Sequence, residues 1–213
     1  MSDLFVTGTD TNVGKTILSA LLTARLDATY WKPIQTGCEG GRVETDRQTV
    51  IRSAEIDESR TRPEHYLFDP PISPHLAALQ AGVKIDLAAI QRPHTDPMRP
   101  LVIEGAGGVL VPVNDQDTML DLMRQLGAPI ILATRTTLGT INHTLLSLNA
   151  IRHSGLTVAG VVMIGDENRD RRDAIQHYGE VPVVGWIPHL ARIDRAALLE
   201  VFENHFDRAA FDR

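Results

Sequence analysis

Leu4-Phe5-Val6-Thr7-Gly8-Thr9-Asp10-Thr11-Asn12-Val13-Gly14-Lys15-Thr16-Ile17-Leu18 is the stretch from which the fold is read. Leu4-Phe5-Val6 is a short apolar run that reads as a buried strand. A Gly/Thr/Asp-rich loop follows, and Gly14-Lys15-Thr16 opens an apolar helical pattern through Ile17, Leu18, Leu21 and Leu22. Strand, loop, Gly-Lys-Thr and helix in that order is the layout of a phosphate-binding P-loop. Backbone N–H groups and a helix N-terminus attract phosphate oxygens there. Lys15 would reach the β- and γ-phosphates, and the Thr16 hydroxyl would bind Mg²⁺. One position departs from the usual spacing: Thr9 stands where glycine is expected, and the glycine is one residue earlier, at Gly8. A Gly-rich turn without a ligand is the alternative for the tripeptide taken alone.

The chain of 213 residues suits one α/β domain with a sizeable core, and no boundary for a second domain is visible between residues 1 and 213. A net charge of −6 gives no electrostatic case for nucleic acid or an anionic membrane as partner. The mixed cluster Arg169-Asp170-Arg171-Arg172-Asp173 reads as a solvated helix face. Cys38 is the single cysteine, which excludes an internal disulfide and fits a reducing compartment. It has no partner base or second thiol in view, so catalysis by it is not expected. No N-terminal apolar region of the leader type is expected, because the loop begins at once, and no apolar run approaches the ~20 residues of a membrane span. The expectation is a soluble, cytoplasmic protein.

Apolar runs alternate with helical patterns along the chain. Strands are expected near 28–31, 100–103, 130–133, 158–164 and 181–185, and helices near 45–54, 117–126, 140–153, 168–177 and 194–206. Two short helices are expected near 75–81 and 86–91, and an ordered loop over the Pro- and Asp-rich stretch 63–74. The strands are continuous apolar runs rather than alternating ones, which predicts burial on both faces. The fold class is therefore α/β: a P-loop NTPase fold with a mostly parallel central sheet and helices on both faces. In such sheets ligands bind at the carboxyl ends of the strands. Lys15 and Thr16 follow the first strand, Lys32 the second, and Glu104 closes the apolar run Leu101-Val102-Ile103.

Glu104 has the type and place of a Mg²⁺ partner, since Mg²⁺ takes hard oxygen ligands and few of them from protein. Thr16, Glu104 and one further carboxylate would suffice, and Asp46 is the candidate for the third. The alternatives are a sheet-end carboxylate capped by glycine amides for Glu104, and a first-turn helix acid for Asp46. Gly105-Ala106-Gly107-Gly108 lets the backbone approach a ligand closely. Lys32, in Lys32-Pro33-Ile34-Gln35-Thr36-Gly37, would bind an anion or be a solvated charge.

The sequence resembles the dethiobiotin synthetase family, ATP-dependent ligases of biotin synthesis. Four segments carry the resemblance: Val6 to Thr16; Lys32-Pro33 with Gly37; Ile103 to Gly108 with Pro112; and Leu138-Gly139-Thr140-Ile141-Asn142-His143-Thr144. Ser73-Pro74-His75 and Gly185-Trp186-Ile187-Pro188 are weaker echoes. The resemblance implies that 7,8-diaminopelargonic acid takes up CO₂ (from bicarbonate) on one of two adjacent amines as a carbamate. The carbamate attacks the γ-phosphate of ATP to give a carbamic–phosphoric anhydride, and the second amine closes a ureido ring. It implies that Lys15 and Lys32 supply positive charge at the reacting groups, and that Thr16, Asp46 and Glu104 hold Mg²⁺. Nucleotide contacts would come from Thr11, Asn12, Val13, Gly14, Lys15, Thr16, Asp46, Glu104, Gly105, Ala106 and Gly107. Pro188, His189 and Leu190 would pack against the base. Thr36 would contact the substrate amine or carbamate. The substrate carboxylate would dock at the helix N-terminus Gly139-Thr140-Ile141-Asn142 of a second subunit, which implies a homodimer with composite sites.

Two departures from the family pattern stand out. Asn12 replaces a frequent Glu. The strand end Val162-Met163-Ile164-Gly165-Asp166 lacks the Asn that reads the adenine edge. Asp166 or Asn168 would substitute only if the backbone path shifts, so relaxed base selectivity is expected. A P-loop switch of the partitioning or septum-positioning type is the competing reading. It is disfavoured by the absence of lysine between Gly8 and Val13 and by the acidic Glu200 and Glu203 in the C-terminal helix. A paralogue that has lost ligase activity is a third, without positive sign, since Lys15, Lys32 and Glu104 are present.

Overall fold

The computed structural model describes residues 3–94 and 96–211. Its strands are β1 (Leu4–Gly8), β2 (Thr29–Trp31), β3 (Ile34–Thr36), β4 (Thr61–Arg62), β5 (Tyr66–Phe68), β6 (Leu101–Gly108), β7 (Ile130–Arg135), β8 (Val158–Ile164) and β9 (Val183–Ile187). Its α-helices are α1 (Lys15–Arg25), α2 (Asp46–Ala54), α3 (Pro74–Gln80), α4 (Met119–Leu126), α5 (Thr140–His153), α6 (Arg169–Gly179) and α7 (Arg195–His205). Seven strands form one sheet in the order β4-β2-β6-β1-β7-β8-β9, with every neighbouring pair parallel.

Each continuous apolar strand serves two cores, because successive side chains leave a strand on opposite faces. Phe5, Ile103, Leu132 and Met163 pack on one face against Met123 of α4, Ile151 of α5 and Ile175 of α6. Their neighbours Val6, Val102, Ile131 and Val162 pack on the other face against Leu21 of α1, Val50 of α2 and Phe202 of α7. The expected two-sided burial and α/β fold class are thus observed. β1 lies between β6 and β7, so the sheet changes direction of growth at its carboxyl end, where such folds leave a crevice.

Three features differ from expectation. The strand through Glu104 does not stop there but runs to Gly108, pairing Val6 with Glu104 and Gly8 with Gly108 across an irregularity in register. Glycines permit this: a Cβ on Gly105 would lie 2.9 Å from the Phe5 ring, and Gly107 has a φ of 65°. The stretch read as a loop, residues 63–74, contains β5, which pairs in parallel with β3 as a separate two-stranded sheet, Ile34 opposite Tyr66 and Thr36 opposite Phe68. β3 and β4 carry neither a period nor a continuous apolar run, and the apolar Tyr66-Leu67-Phe68 of β5 lies within the Pro- and Asp-rich stretch. The strand expected near 181–185 is displaced to Val183–Ile187, because Pro182 has no N–H for a ladder.

No helix among the described residues is long and apolar enough to cross a membrane. Helix α2 begins at a capping box, Thr45 and Gln48 each accepting from the other's backbone N–H. Helix α1 begins at Gly14, whose φ of 94° is open to glycine at little cost. A Cβ there would meet the Ile164 side chain at 2.8 Å, so β8 also packs against the start of α1. Gly14→Ala is therefore expected to destabilise the protein by ~1–3 kcal/mol in urea unfolding. The same change in an Ile164→Ala background should cost less, because only the backbone term remains.

Candidate active site at the carboxyl ends of the central strands

The loop after β1 is shaped by its own side chains. A Cβ on Gly8 would lie 2.6 Å from Val13 Cγ2 and 3.0 Å from the Asp10 carbonyl oxygen, which places the glycine at 8 and leaves position 9 free for Thr. Thr9 N–H donates to the Ala133 carbonyl at 3.0 Å, continuing the β1–β7 ladder into the loop. Asn12 adopts a left-handed φ of 57°. Arg135, at the end of β7, donates to Asp10 Oδ2 and to the Thr11 carbonyl, both at 2.8 Å. Lys15 Nζ donates to the Asp10 carbonyl at 3.0 Å, curling over the loop.

A cluster of ionisable groups lies beside this loop. Glu104 has no solvent exposure, and Lys32 has 5 %. Lys32 Nζ donates to Glu104 Oε1 at 3.2 Å and forms a short contact with Asp46 Oδ2. Thr16 Oγ1 donates to Glu104 Oε1 at 3.0 Å, and Tyr30 OH donates to Glu104 Oε2 at 2.9 Å. Gln35 accepts from the Asp46 N–H at 3.2 Å and donates to the Thr36 carbonyl at 2.7 Å, fixing the start of α2 against β3. Asp46 is thus a first-turn helix acid, one of the two readings the sequence left open, and is in addition an ion-pair partner of Lys32.

The two lysines differ electrostatically. Burial lowers the Lys15 pKa to about 8, and the charge of Glu104 only partly opposes it. Burial also acts to lower Lys32, but Glu104 and Asp46 outweigh it and push the value to about 12. For Asp46, burial acts to raise the pKa, and the Lys32 charge and hydrogen bond overcome it, leaving the carboxyl below its usual range. Burial and the neighbouring Glu104 charge drive the Tyr30 phenol well above its ordinary value. Burial likewise raises the Cys38 thiol, in keeping with its reading as unreactive.

Lys15, Lys32, Asp46 and Glu104 line a cavity of about 680 Å³. Among the residues predicted from sequence, Thr11, Asn12, Gly14, Lys15, Thr16, Lys32, Thr36, Asp46, Glu104, Ala106 and Gly107 line it. Val13 is buried against Gly8 and Gly105 against Phe5, so both shape the wall from behind. Gly139, Thr140, Ile141 and Asn142 do not line the cavity of their own chain. Gly139 and Asn142 are exposed, and Thr140 Oγ1 donates to the Arg135 carbonyl at 2.6 Å. Pro188, His189 and Leu190 also lie outside the cavity lining, with His189 exposed and 3.8 Å from Asp166. The side-chain oxygen of Asn168 caps α6, accepting from Arg171 N–H at 2.9 Å. A second cavity of about 440 Å³, between α6 and the segment after α7, gathers no such buried charge.

The donor set suits Mg²⁺. Thr16, Asp46 and Glu104 present hard oxygens, and the Lys32 ammonium between the two carboxylates marks a place where positive charge is already favoured. No cluster of three or more His, Cys, Asp or Glu that could hold a metal occurs among the described residues, so softer-ligand or all-protein metal cages find no support. Sequence reasoning missed Tyr30, Gln35 and Arg135. The only signal for Tyr30 was a phenol inside a buried strand, which needs a partner for its hydroxyl.

A family model described as an AAA domain matches residues 2–197. The chain is 46 % identical over 208 residues to the ATP-dependent dethiobiotin synthetase BioD of Rhodopseudomonas palustris strain HaA2, covering 98 % of this chain and 95 % of that one. It is 48 % identical over 206 residues to the protein of the same name from Agrobacterium fabrum, covering 97 % and 95 %. Among solved structures, the cell division ATPase MinD of Pyrococcus furiosus superposes with a TM-score of 0.54 at 14 % identity, over 95 % of this chain and 98 % of that one. A ParA family ATPase from Chlorobium tepidum does so with a TM-score of 0.51 at 13 % identity, over 94 % and 90 %. Those two likenesses establish the P-loop NTPase fold alone. With a phosphate loop, two buried lysines and two carboxylates converging on one cavity, and near-full-length identity to named relatives, the chain belongs to the ATP-dependent dethiobiotin synthetase family.

Proposed function

We propose that this ATP-dependent ligase carboxylates 7,8-diaminopelargonic acid with CO₂ and closes the ureido ring of dethiobiotin, acting as a single domain in the cytoplasm. The observation that carries the reading is the convergence of Lys15, Lys32, Thr16, Asp46 and Glu104 on one cavity beside the phosphate loop. A carbamate is a poor electrophile until its oxygen becomes bonded to phosphorus. The reaction therefore needs positive charge held in advance where the carbamate meets the γ-phosphate. Lys32, charged at any physiological pH, is assigned to the carbamate and γ-phosphate. Lys15, with no carboxylate in hydrogen-bond contact, is assigned to the phosphates, whose charge would raise its pKa again. Mg²⁺, when bound, would neutralise developing charge on the phosphates, with Thr16, Asp46 and Glu104 to hold it. Thr36, on the cavity wall, is assigned to the reacting amine or carbamate.

The substrate carboxylate is assigned to residues 139–142 of a second subunit. Support comes from their position outside their own chain's cavity, at the N-terminus of a helix of 14 residues. Leu138, Leu146 and Leu110, with exposures of 92 %, 60 % and 60 %, form apolar surface next to that helix start and along a groove beside Thr9 and Asp10. A homodimer with composite sites accounts for both features.

The test is phosphate release from ATP and Mg²⁺, with and without 7,8-diaminopelargonic acid and bicarbonate. Release that requires both, with a ureido product by mass spectrometry, is expected; slow hydrolysis indifferent to the diamine would overturn the proposal. Lys32→Ala is expected to lower turnover by at least ~10²-fold while nucleotide binding by calorimetry is largely kept. Base selectivity is expected to be relaxed, because Ile164 offers no polar side chain, the Asn168 side-chain oxygen caps its helix and both Gly165 backbone groups are already bonded. CTP and GTP should support turnover comparable to ATP in steady-state assays; a strong ATP preference would count against it.

A further inference from the structure

Tyr30 lies outside every role assigned above. It is fully buried on β2, in the core beneath α1 and α7. Registers place Tyr30 opposite Val102 and Trp31 opposite Ile103 on β6. With a side-chain period of two, Tyr30 and Lys32 leave one face, and Val102 and Glu104 leave the same face of the neighbouring strand. The phenol and the ammonium therefore reach Glu104 from two sides.

The contacts divide the carboxylate. Oε2 accepts from Tyr30 OH at 2.9 Å, on the core side. Oε1 accepts from Thr16 at 3.0 Å and Lys32 at 3.2 Å, on the cavity side. From this division we propose that Tyr30 is a positioning residue. It occupies one oxygen of Glu104, fixes the rotation of the carboxylate, and leaves the other oxygen directed at the Mg²⁺ and phosphate position. The proposal rests on the assignment of Glu104 to Mg²⁺ given above. A buried carboxylate oxygen without a donor is costly. Without the phenol, Glu104 would turn to recruit Lys32 or Thr16 for Oε2, displacing both from the cavity.

Tyr30→Phe deletes the hydroxyl and keeps the ring. Binding of a non-hydrolysable ATP analogue is measured by calorimetry across a Mg²⁺ titration, alongside kcat and KM in the complete reaction. The expected result is a rise of about 10- to 100-fold in the Mg²⁺ concentration for half-saturation, and a fall in kcat with the KM for the diamine unchanged. A lower melting temperature with Mg²⁺ half-saturation and kcat within about twofold of native would overturn the proposal and leave Tyr30 as a core residue. The same change in a Glu104→Gln background should add no further loss of Mg²⁺-dependent binding; equal losses in both backgrounds would also overturn it. If Tyr30→Phe does not fold, recovery of folding by Glu104→Gln supports the coupling, and failure of both proteins to fold overturns it. If the native protein shows no diamine-dependent turnover, the reaction assignment fails, while the Mg²⁺ titration still decides the role of Tyr30.

Discussion

The buried carboxylate of Glu104 is the constraint around which the site is arranged. It sits in mid-strand with no solvent exposure, and an uncompensated charge there would cost several kcal/mol. The sheet order β2-β6-β1 resolves this by placing donors on both sides of the strand that carries it. Tyr30 comes from β2 and Lys32 directly follows it, while the first turn of α1 contributes Thr16. Asp46, at the start of α2, completes the charge balance on Lys32. Lys15 and Lys32 stand against Asp46 and Glu104 in the cavity before any ligand arrives, with Glu44 a further carboxylate on its lining. Removing one member would strand another, so the cluster ties the fold to the site.

The phosphate loop is held from outside as well as from within. β7 reaches it through Arg135 and the Ala133 carbonyl, and β8 through the contact of Ile164 with Gly14. Such bracing fixes donors before a phosphate binds, and preorganised dipoles need no rearrangement during reaction. Within the braced loop, the contrast between Lys15 near 8 and Lys32 near 12 has a plain origin. Lys15 touches a carbonyl, whereas Lys32 touches two carboxylates. Lys15 therefore holds electrostatic capacity that an arriving anion would satisfy, while Lys32 already balances its carboxylates and supplies a fixed charge.

Local signals in the sequence were enough for much of the architecture. The two-sided apolar runs marked β1, β6, β7 and β8, and the 3.6-residue pattern marked α1, α5 and α7 close to their observed bounds. Gly14-Lys15-Thr16 located the loop and its helix. The short strands β3, β4 and β5 were not legible and exist through their partners: unlike β2, which lies in the aromatic run Tyr30-Trp31, β3 and β4 have no continuous apolar run, and that of β5 lies in a Pro- and Asp-rich stretch. The glycines after Glu104 were read as a place of close backbone approach to a ligand, which leaves open whether the strand continues. In the structure Gly105 admits the Phe5 ring and the strand continues to Gly108.

The sequence by itself determined the fold class, the phosphate loop, the candidate charged residues and, through its motifs, the family. These are local properties, set by residues within a few positions of one another. Only the tertiary structure decided which charges meet. Lys32 and Glu104 are 72 residues apart, and their contact depends on the parallel register of β2 with β6. It decided that Tyr30 carries a hydrogen bond, that the Asn168 side-chain oxygen caps a helix, and that residues 139–142 lie outside their own chain's cavity. A strand's local pattern specifies which face is buried, but its neighbours and their register follow from long-range packing, and the site is assembled where those registers coincide.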